Sequence, residues 1–292
     1  MSIFVMSLGL LIGYAGLVSL GHAAFFGTGA YTIALLGKHV ESSYVLIVAA
    51  VVLAGLLALI TGWLFIRTSG AYFLMITLAF SQMLFAIAFK SKELTGGADG
   101  MKVSAVLDLG FGRITGSLEF YYLIAAALLS CYLLLRVFIS SPLGRGVKGV
   151  MENQLRMKAL GYNVAAYQII AYTLSGMMAG FAGAMYAYFN FYVSPEMLNW
   201  VFSGQALIMV IVGGVGTLLG PAIGAGFFVV LQNYVSSHTE RWPIIMGLIF
   251  VGFVLYGRGG IIQIVSLLWI KLTSKRARSE AEEKKAPNTI RL

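Results

Sequence analysis

Charged side chains are missing from long stretches of this chain. Residues 1–37, 42–66, 68–89, 120–135, 159–195, 197–239 and 242–257 contain no Asp, Glu, Lys or Arg. Only 11% of the 292 residues are charged, against 59% hydrophobic, where a soluble domain runs near a quarter charged. A soluble core of this size could not hide so much apolar surface, so lipid must serve as solvent for much of it. Cysteine is nearly absent too. The single Cys131 lies inside an apolar run, which excludes an internal disulfide and leaves no metal or redox spacing. Asp and Glu are almost absent from the apolar runs, which argues against a proton- or sodium-coupled carrier, since these usually need such groups at membrane depth. No Gly-x-x-x-x-Gly-Lys-Ser/Thr sequence occurs, so the chain has no phosphate-cradling loop of its own. No Ser/His/Asp or paired-carboxylate set sits within the runs.

What is present is a succession of hydrophobic runs near 1–18, 22–37, 44–66, 71–89, 120–139, 166–190, 201–218, 221–236 and 242–257. A spanning helix needs about 20 mostly apolar residues. The reading is an all-α, polytopic transmembrane helical bundle of about eight or nine hydrophobic helices, with candidates for re-entrant or broken helices. The first run has no basic leader and continues apolar well past the length of a signal-peptide h-region. A shorter apolar piece, Ile261–Leu272, is expected at the interface or as an extension of the last helix. One membrane domain over 1–273 is expected, followed by a disordered cytoplasmic tail over 274–292.

The net charge of +9 is unevenly placed. Basic residues cluster in 136–158 and again from Arg258 onward, which reads as the positive-inside bias. Both segments are expected in the cytoplasm, and the four runs between them, an even number, agree. Counting back puts Arg67 inside, and Lys38–Ser43 and Lys90–Glu119 outside. It also puts Met1 outside, as if the first run did not fully cross or a leading helix preceded it. A nucleic-acid surface is not supported, because the basic residues are not interleaved with aromatics.

Four segments interrupt the runs. The first, Gly13–Tyr31, sets Ser19, His22, Thr28 and Tyr31 among glycines that include Gly27. Polar groups at membrane depth need partners or a cavity. Either this is a helix break lining a translocation path, or a hairpin whose polar groups bond to nearby backbone. The second is Thr95-Gly96-Gly97-Ala98-Asp99-Gly100, a glycine-rich turn or an outer-loop gate. The third is Ser141–Asn163, which carries Arg145, Lys148, Arg156 and Lys158 beside apolar Val147, Val150, Met151, Leu155 and Met157. It reads as a short helix lying on anionic headgroups or docking on a partner. The fourth, Gly213-Gly214-Val215-Gly216, is a glycine-dense turn that faintly echoes the first, with Gly213, Gly214 and Gly216 as candidates for a break along a path. The pairs Gly9/Gly13, Gly176/Gly180, Gly216/Gly220 and Gly220/Gly224 have the i,i+4 spacing of close helix packing, with broken helices as the other reading.

Three of these pieces together resemble a known family. The run Gly-Tyr-x-Gly-x-x-Ser-Leu-Gly-His-Ala-Ala-Phe-x-Gly-x-Gly-Ala-Tyr at 13–31, Thr-Gly-Gly-x-x-Gly at 95–100, and Ser-Pro-x-Gly-Arg at 141–145 with Leu-Gly-Tyr-Asn at 160–163 are similar to permease subunits of ABC importers for branched-chain amino acids, of the LivM type. The similarity covers roughly residues 8–260. It implies that 141–163 is the coupling helix, which sits in a groove of a separate ATPase. Gly144 and Arg145 would shape its start, Glu152 and Asn153 would make polar contacts, and Leu160-Gly161 would close it. The chain departs from the family pattern at Met151, where Arg is usual, and at Gln154, where Glu is usual. The family also normally carries a helix ahead of the first motif.

The resemblance further implies partners: a second related permease, two ABC ATPase subunits and an extracytoplasmic solute-binding protein. The chain itself would not be an enzyme and would hold no cofactor, ATP being used by the partner subunits. Selectivity would lie largely in the binding protein, with a path lined by small and mildly polar residues. The location would be a bacterial cytoplasmic (inner) membrane, multi-pass, C-terminus inside. A urea or short-amide permease shares the same motifs and stands as the alternative. A self-contained channel or secondary carrier is the reading from another class.

Overall fold

The computed structural model describes residues 1–105, 107–108, 116–256 and 260–261. The 274–292 tail and nearly all of Ile261–Leu272 lie outside the described residues. Four helices are long and apolar enough to cross a membrane: α3 (Ser43–Phe65), α4 (Ala71–Lys90), α6 (Ser117–Ser140) and α9 (Val164–Asn190). At 1.5 Å per residue, the 23 residues of α3 reach about 35 Å, enough for a hydrocarbon core of about 30 Å. Others are shorter. These are α1 (Ser2–Leu10), α2 (His22–Leu36), α10 (Trp200–Gly213), α11 (Gly220–Ser236) and α12 (Trp242–Tyr256). Among the described residues, four of the expected hydrophobic helices are long enough to span, and the others present are shorter. The physical cause is visible at Gly16–Gly21, Ser194–Asn199 and Gly214–Leu219, where the chain leaves helical geometry.

The order of burial places the centre. In its most apolar window α9 is 61% buried, whereas α6 is 11% buried, so α9 is central and α6 peripheral. Every residue from Ile3 to Leu11 is buried, and a helix buried on all sides belongs to the interior. Together α1, α2 and α9 form that interior, with α3, α10 and α11 packed around them.

Backbones approach closely where side chains vanish. Gly29 of α2 lies on the Gly180 backbone, and Gly183 of α9 lies on the Phe26 carbonyl. Gly176 and Gly180 also receive Ala58 and Ala54 of α3. Lipid tails are as apolar as leucine, so such van der Waals contact is what holds helices together here. The i,i+4 pair Gly176/Gly180 is a packing seam.

The two ends of the bundle differ. One end, here the basic end, carries α7 (Pro142–Glu152) and α8 (Gln154–Ala159). The other carries a two-residue antiparallel pair, β1 (Met101–Lys102) with β2 (Tyr192–Val193), and a short α5 (Lys92–Thr95). Polar side chains start the helices that begin near water. Ser141 Oγ accepts from Gly144 N, and Asn163 Oδ1 accepts from Ala166 N. At the basic end of α3, Arg67 lies 4.6 Å from the Trp63 ring centroid, a pairing suited to an interfacial depth.

Candidate functional site

The first motif folds as a discontinuity inside the bundle. α1 ends in one turn of π-helix, Leu11–Ala15, a form frequent at functional sites. Gly16 then adopts φ +68°, where a glycine is required, and Met151 of α7 rests against it. The chain turns back through Leu17–Gly21 and starts α2 at His22. That start lies at mid-depth: His22 meets Ser175, close to halfway along α9.

A helix that begins inside the bundle has amide groups to satisfy. Hydroxyls from other helices do so. Thr77 Oγ1 of α4 accepts from Leu20 N at 3.2 Å, and Ser203 Oγ of α10 accepts from Ala23 N at 2.7 Å. Ser19 Oγ accepts from Gly21 N at 3.2 Å. His22 Nε2 is 2.8 Å from Ser7 Oγ, and its ring stacks on Phe4 at 5.4 Å between centroids. Ser7 in turn donates to the Phe4 carbonyl at 2.7 Å, which leaves its lone pairs to accept from Nε2. Nδ1 has no partner among the described residues. Ser19 and His22 are thus wholly buried pieces of a helix break. Gly27 is buried under Leu198.

Further along α2 the surroundings change. Thr28 and Tyr31 line a cavity of about 330 Å³. Its other walls are Leu53 of α3, Leu84 and Ala88 of α4, Leu198 from the segment before α10, and Thr95. The second motif is therefore brought to the first. Thr95 Oγ1 donates to the carbonyls of Ala88 and Ser91, closing the end of α4. Gly96, Gly97 and Gly100 hold φ of +75°, +62° and +67°, so three left-handed residues make the turn that starts β1 at Met101. Tyr192 reaches back to donate to the Asp99 carbonyl.

The third motif is two helices, not one. α7 ends at Glu152, and Asn153, with φ −159°, caps α8 by accepting from Arg156 N at 2.9 Å. Asn153 thus holds a corner. Gly144 and Gly146 are buried on the inner side of α7, against Phe138–Ile139 and the Tyr167 ring. Arg145, Glu152, Leu160 and Gly161 face outward. The outward surface also carries Leu155 at 79% and Leu160 at 65% exposure. α7 packs on α6, on α9 and on the π-turn.

The fourth motif lies at the basic end. Gly213 packs on the Gly220 carbonyl, Gly214 ends α10 with φ +118°, and Gly216 abuts Gly13. It braces the π-turn and does not border the cavity. Residue types alone did not single out Ser7, Thr77, Ser175 and Ser203. The available signal was the few Ser and Thr residues within otherwise apolar runs.

The family model described as branched-chain amino acid transport system / permease component matches residues 1–257. The high-affinity branched-chain amino acid transport system permease protein LivM of Salmonella typhimurium is 27% identical over 94% of this chain and 70% of its own length. The protein of the same name in Escherichia coli is 26% identical, over 88% of this chain and 66% of its own. A probable LivM of Methanocaldococcus jannaschii is 22% identical over 73% and 64%. The chain thus spans about two thirds of the length of these relatives. No solved structure matches it.

Proposed function

The chain belongs to the family of permease components of branched-chain amino acid transport systems, and from that premise we propose that it is the transmembrane half of an ATP-driven importer for aliphatic amino acids. It pairs with a related permease, two ATPase subunits and a binding protein that delivers the solute. The observation that carries this reading is the corner α7–α8. Leu155 and Leu160 stand exposed beside Arg145 and Arg156 at one end of an otherwise apolar bundle. An apolar ridge with a charged rim suits a protein groove, because a hot spot needs a desolvated centre and a polar surround.

The same corner touches the machinery inside. Met151 abuts Gly16, and α7 packs on the π-turn at the foot of α1. ATPase closure would push α7, tilt α1 through that turn, and move the α10–α11 hairpin through the Gly13–Gly216 contact. Packed interfaces shift between discrete arrangements, so this push exchanges access between the two ends of the bundle. Orientation follows: the basic end is cytoplasmic, in a bacterial inner membrane. ATP is spent on the partner subunits, and this chain holds no cofactor.

Co-expression with the partner subunits tests the proposal. The reading expects a stable assembly whose ATP hydrolysis rises when solute-loaded binding protein is added. A chain that isolates alone and moves solute in liposomes without ATPase subunits would overturn it.

A further inference from the structure

Polar groups are unevenly placed around the outside of the bundle. On α3, every exposed residue from Val45 to Leu64 is apolar. On α6 the exposed Ser130 turns its hydroxyl back on the Ala126 carbonyl at 2.8 Å. Such surfaces suit lipid tails, which offer no hydrogen bonds.

The face made by α4 and the start of α10 differs. Met75, Ala79, Gln82 and Ala86 follow one another at i, i+4, i+7 and i+11, a single stripe on α4, and all are exposed or partly so. Gln82 stands eleven residues past Ala71 and eight before Lys90, so it lies about 12 Å or more from either end of the helix. Its Nε2 donates to Asn199 Oδ1 at 3.2 Å, and the same oxygen accepts from Val201 N at 3.1 Å. Asn199 thus starts α10 beside the middle of α4. A carboxamide has one acceptor and two N–H donors. Those two bonds leave Gln82 Oε1 and Asn199 Nδ2 without a partner among the described residues.

The stripe continues on α10. Val201, Gly204, Gln205 and Ile208 share one side and are exposed or partly so, and a Cβ added at Gly204 would meet nothing within 4 Å. Glu196 is exposed on the descent from β2 to Asn199, and it is the single Asp, Glu, Lys or Arg between 159 and 239. Carboxamides at membrane depth need protein or water against them. Asn and Gln bond across helix pairs in membranes, and small residues such as Gly204 and Ala79 let a second backbone come close.

We infer that the face formed by α4 and the start of α10 is the one on which the second permease subunit sits, presenting hydrogen-bonding side chains to Gln82, Asn199 and Gln205. The inference rests on the proposed pairing of two permeases and says which side of this chain makes the pair. The apolar faces of α3 and α6 are left to lipid.

Photocrosslinking in the assembled complex, in native membranes, tests it. Met75, Val201, Leu56 of α3 and Leu133 of α6 are replaced, one per complex, by the photoreactive residue p-benzoylphenylalanine. These positions lie between 47% and 64% exposed, so the core is left intact in each variant. After irradiation, adducts are separated by size and identified by mass. Positions 75 and 201 are expected to join this chain to the second permease, and positions 56 and 133 to give no protein adduct.

Complexes that take up amino acid with ATP, yet crosslink to the second permease from 56 or 133 and not from 75 or 201, overturn the face and leave the transport role standing. Active complexes with no protein adduct at any of the four positions give the face to lipid and overturn the inference. Adducts at 75 and 201 that prove to be two copies of this chain overturn the second permease as its occupant. Adducts to the second permease at 75 and 201 in complexes that take up no amino acid keep the face and overturn the transport role.

Discussion

At the scale of single residues, what decides is whether an atom has room and whether a polar group has a partner. Gly183 has no room. A Cβ there would run into the Phe26 carbonyl, and neither backbone can yield without parting α2 from α9. Gly183→Val is expected to cost roughly 3 kcal/mol, read as a lowered midpoint of thermal denaturation in detergent. Gly226, whose added Cβ would meet nothing within 4 Å, is the matched control: Gly226→Ala should leave the midpoint in place. His22 tests the other question. Its Nε2 serves Ser7 and Ser175, and glutamine can present an N–H at nearly the same reach. His22→Gln should therefore keep both stability and uptake. His22→Leu removes the ring nitrogen that Ser7 and Ser175 face, although each hydroxyl keeps its bond to a backbone carbonyl, and should cost about 1 kcal/mol. Loss of uptake in a well-folded His22→Gln protein would make the ring a working group and not a structural one.

At the scale of elements, the corner α7–α8 carries the clearest consequence. Leu155 is 79% exposed and lies outside the hydrophobic core of the described residues. Leu155→Asp should fold as the parent does and yet bind the ATPase subunits about tenfold more weakly, measured by co-purification. Asn153→Ala removes the cap on α8, worth about 1 kcal/mol. It should loosen the corner, lowering solute-stimulated ATP hydrolysis more than it lowers stability.

The elements also show what could be read from sequence. The runs 44–66, 71–89, 120–139 and 166–190 are α3, α4, α6 and α9 to within a few residues, because long uncharged stretches have one stable form in lipid. The π-turn at Leu11–Ala15 was not legible, since one added residue per turn leaves no mark on an all-apolar pattern. The corner at Asn153 was hidden for a related reason: Asn serves equally as a cap and as a surface contact. The meeting of Thr28 and Tyr31 with Thr95 depends on where distant segments pack, which no local spacing encodes. Ser19 and His22 were legible as a break, but not as a break closed by Thr77 and Ser203, because those hydroxyls look like ordinary packing in their own helices.

At the scale of the whole molecule, the chain is a multi-pass membrane permease component of the branched-chain amino acid family. Its interior, α1, α2 and α9, is touched at the basic end by α7. At the opposite end α2 meets the turn that holds Thr95 at the cavity. The end where α7 packs and the cavity near the other end are joined through the segment Ser2–Leu36, with its break at Gly16–Gly21. The measurement that tests this most directly is leucine uptake into proteoliposomes holding the complete assembly and its loaded binding protein, with and without ATP. The account predicts uptake that requires ATP and falls by about tenfold with Leu155→Asp in this chain. Uptake that proceeds without ATP, or that Leu155→Asp leaves unchanged, would contradict it.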